Sequence, residues 1–236
     1  MAKFRNFGLN PSFLGASIIM NLKEPFVITV SREIGSGGRT IGRILAGKLN
    51  VPCCDRYLVE ALEKEFGLTM EEIEKRKSQK KRWLSEFSKF LSPVPSAAVL
   101  GVAEEEDGVH VTTDMIFQAE TEILKELANE GSCVITGRSG FFVFKDHPNH
   151  LNVFITAPYP NRIKRIMKKQ GVDEETAAAL IKKIDKAREN YIRRYADTSR
   201  YDVHNYDLSI KVDGQSEEQI ADFILSYIGQ SNDMQP

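Results

Sequence analysis

The chain has no apolar run that approaches the ~20 residues a membrane-spanning helix needs. Its early apolar patch, Phe13 to Met20, is too short, and no A-x-A cleavage site follows it, so neither a span nor a secretory leader is expected. Cysteine is scarce: only Cys53, Cys54 and Cys133, with no C-x-x-C. That argues against a disulfide scaffold or a zinc site and fits a reducing cytosol, so a cytoplasmic protein is expected. The four histidines, His110, His147, His150 and His204, show no metal-ligand spacing, and His147 and His150 on either side of Pro148 read as loop residues. No charge of one sign dominates. A net charge of −1 gives no global drive towards nucleic acid or an anionic membrane. There is also no G-x-S-x-G, no H-E-x-x-H and no paired-carboxylate spacing, which leaves little nucleophile or base chemistry.

What is present reads as a globular chain: 236 residues, 42% hydrophobic and 28% charged, enough for one domain with a helical insertion. Its most informative stretch is SREIGSGGRTIG, Ser31 to Gly42. It follows the apolar run Phe26 to Val30 and opens an apolar-periodic run at Ile41, Ile44, Leu45 and Leu49. That order is strand, glycine-rich turn, helix. Gly35, Gly37 and Gly38 are expected to let the backbone take positive φ and come close to a ligand. The helix aims its free N–H groups and positive dipole end at the turn, which suits a phosphate. The pattern is nearly a P-loop, G-x-x-x-x-G-K-[ST]. Here the lysine position holds Gly38, Arg39 comes one residue later, and Thr40 keeps a hydroxyl to offer Mg²⁺.

Along the rest of the chain, short apolar strands alternate with helices. Val51 to Cys54 ends at Asp55 and Arg56, Cys133 to Thr136 ends at Gly137 and Arg138, and Leu151 to Thr156 and Leu208 to Val212 follow. Helices are expected over Tyr57–Phe66, 69–90, Thr113–Asn129, Pro160–Gln170 and Asp173–Tyr195, and from a Ser216-x-x-Gln219 capping box to Ile228, with Gly229 as the stop. The alternation predicts an α/β fold, a three-layer parallel sheet with helices on both faces. Residues 1–20 read as an N-terminal extension and 69–112 as a helical insertion in the domain 21–236. In such sheets ligands bind beyond the carboxyl ends of the strands. Ser31 to Thr40, Asp55-Arg56, Gly137-Arg138 and Ala157 to Asn161 all fall on that rim.

Basic side chains cluster near it. In the helix from Asp173 the apolar stripe Ala177, Leu180, Ile181, Ile184, Ala187, Tyr191 carries Arg188 on the same face. A guanidinium there needs an anion, from the protein or from a ligand. Arg193, Arg194 and Arg200 follow; they either contact phosphate or, respectively, cap a helix end and lie in solvent. Arg162 and Arg165 share a face of the preceding basic helix. Asp55 either accepts hydrogen bonds from a sugar or base amine, orients Arg56, or is a helix N-cap, and Arg138 is either a rim residue or half of a structural salt bridge. Positive donors around a glycine turn are what phosphoryl transfer needs, since it is mostly positioning and charge neutralisation.

These motifs resemble the cytidylate-kinase-like family within the nucleoside monophosphate kinases of P-loop type, over roughly Phe26 to Ile228. The resemblance rests on SREIGSGGRTIG, the Val51 to Asp55 strand end, CVITGR at 133–138, FITAPYPNRIKRI at 154–166 and D-x-x-R-x-x-Y-I-R-R-Y from Asp185 to Tyr195. It implies transfer from ATP, with Mg²⁺, to a nucleoside monophosphate such as CMP or dCMP. It implies that Gly35, Ser36, Gly37, Gly38, Arg39 and Thr40 hold the ATP phosphates with Arg162, and that Thr40 meets the metal. It places Asp55, Arg56 and Arg138 on the monophosphate side. It gives Arg39, Arg188, Arg193 and Arg194 catalytic charge roles, the last three in or beside a lid over 185–205, and makes 69–112 the monophosphate-binding segment. A kinase of another small metabolite and a non-catalytic nucleotide-binding regulator remain the alternatives. Nucleic-acid binding through the basic clusters at 75–82 and 162–169 is disfavoured by the net charge.

Overall fold

The computed structural model describes residues 20–55, 113–137 and 139–233. The expected 69–112 insertion, the helices before it, Arg56 and Arg138 lie outside the described residues. Within them the order is β1 (Val27–Arg32), α1 (Gly38–Leu49), β2 (Cys53–Asp55), α2 (Thr113–Glu130), β3 (Cys133–Thr136), α3 (Gly140–Val143) and β4 (His150–Thr156). Then come α4 (Tyr159–Gln170), α5 (Glu174–Ala196), a 3₁₀ turn (Val203–Asn205), β5 (Leu208–Lys211) and α6 (Glu217–Asp233).

The strands form one parallel sheet in the order β2-β3-β1-β4-β5, with Val27 opposite both Cys133 and His150. Period-two alternation splits the core between its faces. Ile28, Val30, Val134, Leu151, Val153 and Ile155 turn to the side covered by α1 and α6, against Ile41, Leu45, Ile220, Ile224 and Ile228. Val27, Cys133 and Ile135 turn to the other, against Ile123, Leu124 and Leu127 of α2 and Phe144. A satellite cluster, Ile163, Ile166, Ala177 and Ile181, pins α4 to α5 beside Ile34. The three-layer α/β architecture read from the alternation is the one found.

Local signals explain the starts of α5 and α6. Asp173 caps α5 by accepting from the Thr176 amide at 2.8 Å. Ser216 and Gln219 form the expected reciprocal capping box, at 2.9 and 3.2 Å. One stop signal fails: α6 runs through Gly229 to Asp233. The Ile228 side chain just before that glycine is fully buried in the core, and packing of this kind outweighs the ~1 kcal/mol helix penalty of a glycine. His150 is not a loop residue either. It opens β4, with its Nε2 3.1 Å from Thr29 Oγ1.

The topology sets the site. The chain leaves β1 towards β2 on one edge and leaves β3 towards β4 on the other side of β1. Adjacent strands whose connections diverge open a crevice beyond their carboxyl ends. The glycine turn lies at the end of β1, and Gly137 at the end of β3.

Candidate active site

The turn is built as the sequence suggests at two glycines and differently at a third. Gly35 and Gly37 have φ of 78° and 91°. A Cβ at Gly35 would also lie 2.8 Å from the Arg162 carbonyl oxygen, so this position is closed to side chains on both counts. Gly38 does not take positive φ. It is the first residue of α1, and it is small because a Cβ there would meet the Cβ of Arg32 at 2.6 Å. The amides of Gly37, Gly38 and Thr40 find no acceptor among the described residues, as the first turn of a helix requires. They point at the crevice with the positive end of the α1 dipole. Thr40 is exposed beside them.

Buried ion pairs fix the first half of the turn. Arg162 is only 6% exposed. It donates from Nε to the Ile34 carbonyl at 2.8 Å, pairs with Glu33 at 3.0 Å and pairs with Asp185 through Nη2. Glu33 also accepts from the Thr156 hydroxyl. Asp185, buried in α5, accepts from the Ile34 amide at 3.2 Å and lies 3.5 Å from Nη1 of Arg200 and 3.8 Å from Nη1 of Arg188. Arg188 and Arg200 both donate to the carbonyl oxygen of Arg32, Arg188 at 3.2 Å. Strand β1, the turn and α5 are thus joined by hydrogen bonds and ion pairs.

On the β2 side, Asp55 is almost completely buried and takes Arg39 Nε at 2.8 Å and Arg43 Nη2 at 2.9 Å. Thr136 donates to the Cys54 carbonyl at 3.4 Å, and its methyl fills the space left by Gly42. Burial, with Asp55 adding to it, pushes the Cys53 thiol up to about 12; burial does the same to Cys133. Neither is a nucleophile at neutral pH.

The structure therefore gathers part of the expected constellation. Gly35, Ser36, Gly37, Gly38 and Thr40 form the turn and the start of α1, where Ser36 is buried with its hydroxyl donating to the Glu33 carbonyl at 2.9 Å and Thr40 is exposed, and Arg188 reaches the Arg32 carbonyl at the end of β1. Arg39 is there too, but its Nε is turned to Asp55 rather than over the turn. Arg162, expected at ATP, has its guanidinium engaged within the protein. Arg193 is 66% exposed and bonded to Glu189 at 2.6 Å; Arg194 is exposed with its guanidinium 5.6 Å from the Tyr195 ring centre. Arg200, weighed as solvated or phosphate-bound, is buried between Phe154 and Tyr201. The sequence reading missed Arg32, Glu33, Arg43 and Asp185 as parts of the site. Asp185 carried a signal: an acid three residues before Arg188, inside an otherwise apolar stripe.

Among the described residues no cluster of three or more His, Cys, Asp or Glu could hold a metal, and no helix is long and apolar enough to cross a membrane.

Comparisons with known proteins agree with this architecture. A solved structure of an uncharacterized protein from Eubacterium ventriosum superposes with a TM-score of 0.64 at 26% identity, covering 88% of this chain and 99% of that one. Among curated proteins, the cytidylate kinase of Methanocaldococcus jannaschii is 24% identical over 209 residues, 86% of this chain and 97% of that protein. The cytidylate kinase of Sulfolobus acidocaldarius is 22% identical over 205 residues, 87% and 95% respectively. The model of the cytidylate kinase-like family matches residues 27–214, and with that match, on a parallel sheet carrying a phosphate-type turn, the chain belongs to the cytidylate kinase-like family.

Proposed function

We propose that this chain transfers the γ-phosphoryl group of ATP to a nucleoside monophosphate, with CMP or dCMP as acceptor. The observation that carries this reading is the crevice itself. Amides at the start of α1 that find no acceptor among the described residues lie near Arg32, Arg39 and Arg188. Membership of a kinase family and the two relatives named cytidylate kinase support it.

The residues fit the phosphates of ATP. The amides of Gly37, Gly38 and Thr40 offer donors and the α1 dipole offers charge, which is what an anion at a helix N-terminus uses. The Thr40 hydroxyl is exposed at the same helix start and would contribute to Mg²⁺, whose remaining ligands would be phosphate oxygens and water. The metal would supply neutralisation of the phosphate charge. In the transfer, an oxygen of the acceptor phosphate bonds to the γ-phosphorus as the bond to the ADP oxygen breaks. Arg188 and the other rim arginines would take up the charge on the oxygens in flight. Asp55 would hold the acceptor side in place through Arg39 and Arg43. Arg162, Glu33 and Asp185 would act by keeping the turn in its receptive shape.

The test is ADP release from Mg-ATP with a panel of all ribo- and deoxyribonucleoside monophosphates. Turnover confined to CMP or dCMP is the expected result. Absence of turnover with every acceptor, in protein that binds ATP, overturns the reading in favour of another small-metabolite acceptor or a non-catalytic binder.

A further inference from the structure

Arg32, the last residue of β1, has its main chain and its side chain in different services. Its carbonyl oxygen is the shared acceptor of Arg188 and Arg200. Its side chain runs from β1 towards the end of β3. Two glycines make the slot: a Cβ at Gly38 would press on the start of the Arg32 side chain at 2.6 Å, and a Cβ at Gly137 would fall on Nη1. The guanidinium is thereby held between the glycine turn and the end of β3.

No acceptor among the described residues takes a hydrogen bond from it. Its surroundings are mostly positive: Arg188, Arg200 and Arg39 repel it, and only Asp55 attracts it. Asp55 itself is engaged by Arg39 and Arg43. Burial first, then Arg188 and Arg200, lower the Arg32 pKa to about 9. At neutral pH the group still carries its charge, so the unfavourable surroundings express themselves as a demand for an anion. Among the described residues the one carboxylate acting on it, Asp55, is already shared by two other arginines.

We propose that Arg32 is a catalytic residue that stands in for the missing P-loop lysine, its guanidinium meeting the oxygens of the phosphoryl group being transferred. This rests on the reading of the chain as an ATP-dependent kinase. Two features favour Arg32 over Arg39 for the role: Arg39 Nε already donates to Asp55, and Arg32 alone lies in a slot whose two walls must be glycine. A planar fork with several donors suits phosphate oxygens at least as well as an ammonium does.

The experiment compares Arg32→Met and Arg32→Lys with wild type in three measurements. Calorimetric titration with Mg-ATP and with Mg-ADP reads the contact with the third phosphate and needs no acceptor. Steady-state kinetics with the best acceptor reads kcat and KM. Thermal unfolding reads the fold. The expected outcome for Arg32→Met is ATP affinity down by ~10-fold or more with ADP affinity little changed. Its kcat should fall by ~100-fold or more, the scale of one lost transition-state charge contact. Its unliganded Tm should equal or exceed that of wild type, because a repelled charge has gone. Arg32→Lys should recover part of the kcat. Unchanged ATP affinity and kcat in Arg32→Met overturn the proposal while leaving the kinase reading standing. A clear fall in Tm with equal loss of ATP and ADP binding overturns it too, by making Arg32 structural. An ATP-specific loss in a protein without turnover on any monophosphate supports the role of Arg32 and counts against the nucleotide acceptor instead. Failure of wild type to bind Mg-ATP overturns both.

Discussion

Replacing Asp185 by Asn removes one charge from the centre of the buried network and leaves the volume of the site unchanged. The Arg162 and Arg200 side chains that it neutralises are 7% and 5% exposed, so water cannot replace the lost carboxylate. Removing one partner of a buried pair costs about 3–5 kcal/mol, because a charge stays behind uncompensated. Here the lower end applies. Arg162 keeps Glu33 at 3.0 Å, Arg200 keeps the Arg32 carbonyl, and the Asn oxygen can still accept from one donor. The expected loss is therefore about 3 kcal/mol. With a urea m-value of about 3 kcal/mol/M for a chain of this size, the unfolding midpoint should fall by about 1 M at unchanged slope. The internal comparison is Arg165→Ala, which breaks the pair with Glu217. Those side chains are 38% and 22% exposed, so solvent screening holds the cost below about 1 kcal/mol. An Asp185→Asn midpoint within error of wild type, or equal to that of Arg165→Ala, would refute the claim that the network holds the turn.

Arg188→Ala should cut turnover by ~100-fold or more while lowering stability by less than about 1 kcal/mol. Arg188 is a third exposed, and the Arg32 carbonyl keeps Arg200 as donor; unfolding of the variant would make Arg188 structural instead. Thiols held near 12 are almost fully protonated at pH 8, so Cys53 and Cys133 should release no chromophore from an aromatic disulfide reagent until the protein is denatured. Rapid labelling of either in the native protein contradicts the packing around β2 and β3. His150, lowered mainly by burial from 6.5 to about 4, is neutral in the fold and binds a proton more readily when unfolded. Its contribution is intact above pH 6.5 and is lost as the pH falls from there towards 4. His150→Gln should flatten that limb of the Tm–pH curve, and a limb of unchanged steepness would assign it to other groups.

The elements were legible where one signal dominated. Continuous apolar strands and a 3.6-residue stripe locate the sheet and helices, and the Ser216 box is local chemistry that survives into the fold. Gly229 misled because a stop signal is local, while the burial of Ile228 depends on where α6 lands. The same distinction runs through the site. The glycine turn is contiguous in sequence and could be read directly. The network around it joins Glu33, Arg162, Asp185 and Arg200, residues with no fixed spacing between them, so only the fold brings them together. The resemblance put Arg162 at ATP, and one arginine on a basic helix gives no sign that Glu33 and Asp185 await it. Gly38 shows the reverse error. Its smallness suggested backbone freedom, whereas what it provides is room for Arg32.

Net charge says nothing of the local balance. At −1 the chain as a whole attracts no polyanion, yet the rim is strongly cationic. Around the turn and β2, the guanidiniums of Arg32, Arg39, Arg43, Arg162, Arg188 and Arg200 face the carboxylates of Glu33, Asp55 and Asp185. Two of those carboxylates are each shared by more than one arginine, so the positive charge is incompletely balanced among the described residues. Distant surface acids cannot correct this, because in salt their fields fade within about 8–10 Å. A local excess in a crevice, as opposed to a stripe along the surface, selects a compact anion that can enter, and a phosphoryl group in transit has the size and charge to do so. If the turn takes phosphate as proposed, this local excess would let it do so without its lysine. On the proposed reading, the charge a lysine would supply from the start of α1 would come instead from Arg32 on the strand before the turn and from Arg188 on α5, and Asp185, which accepts from the Ile34 amide and lies 3.8 Å from Arg188, ties the turn to that helix.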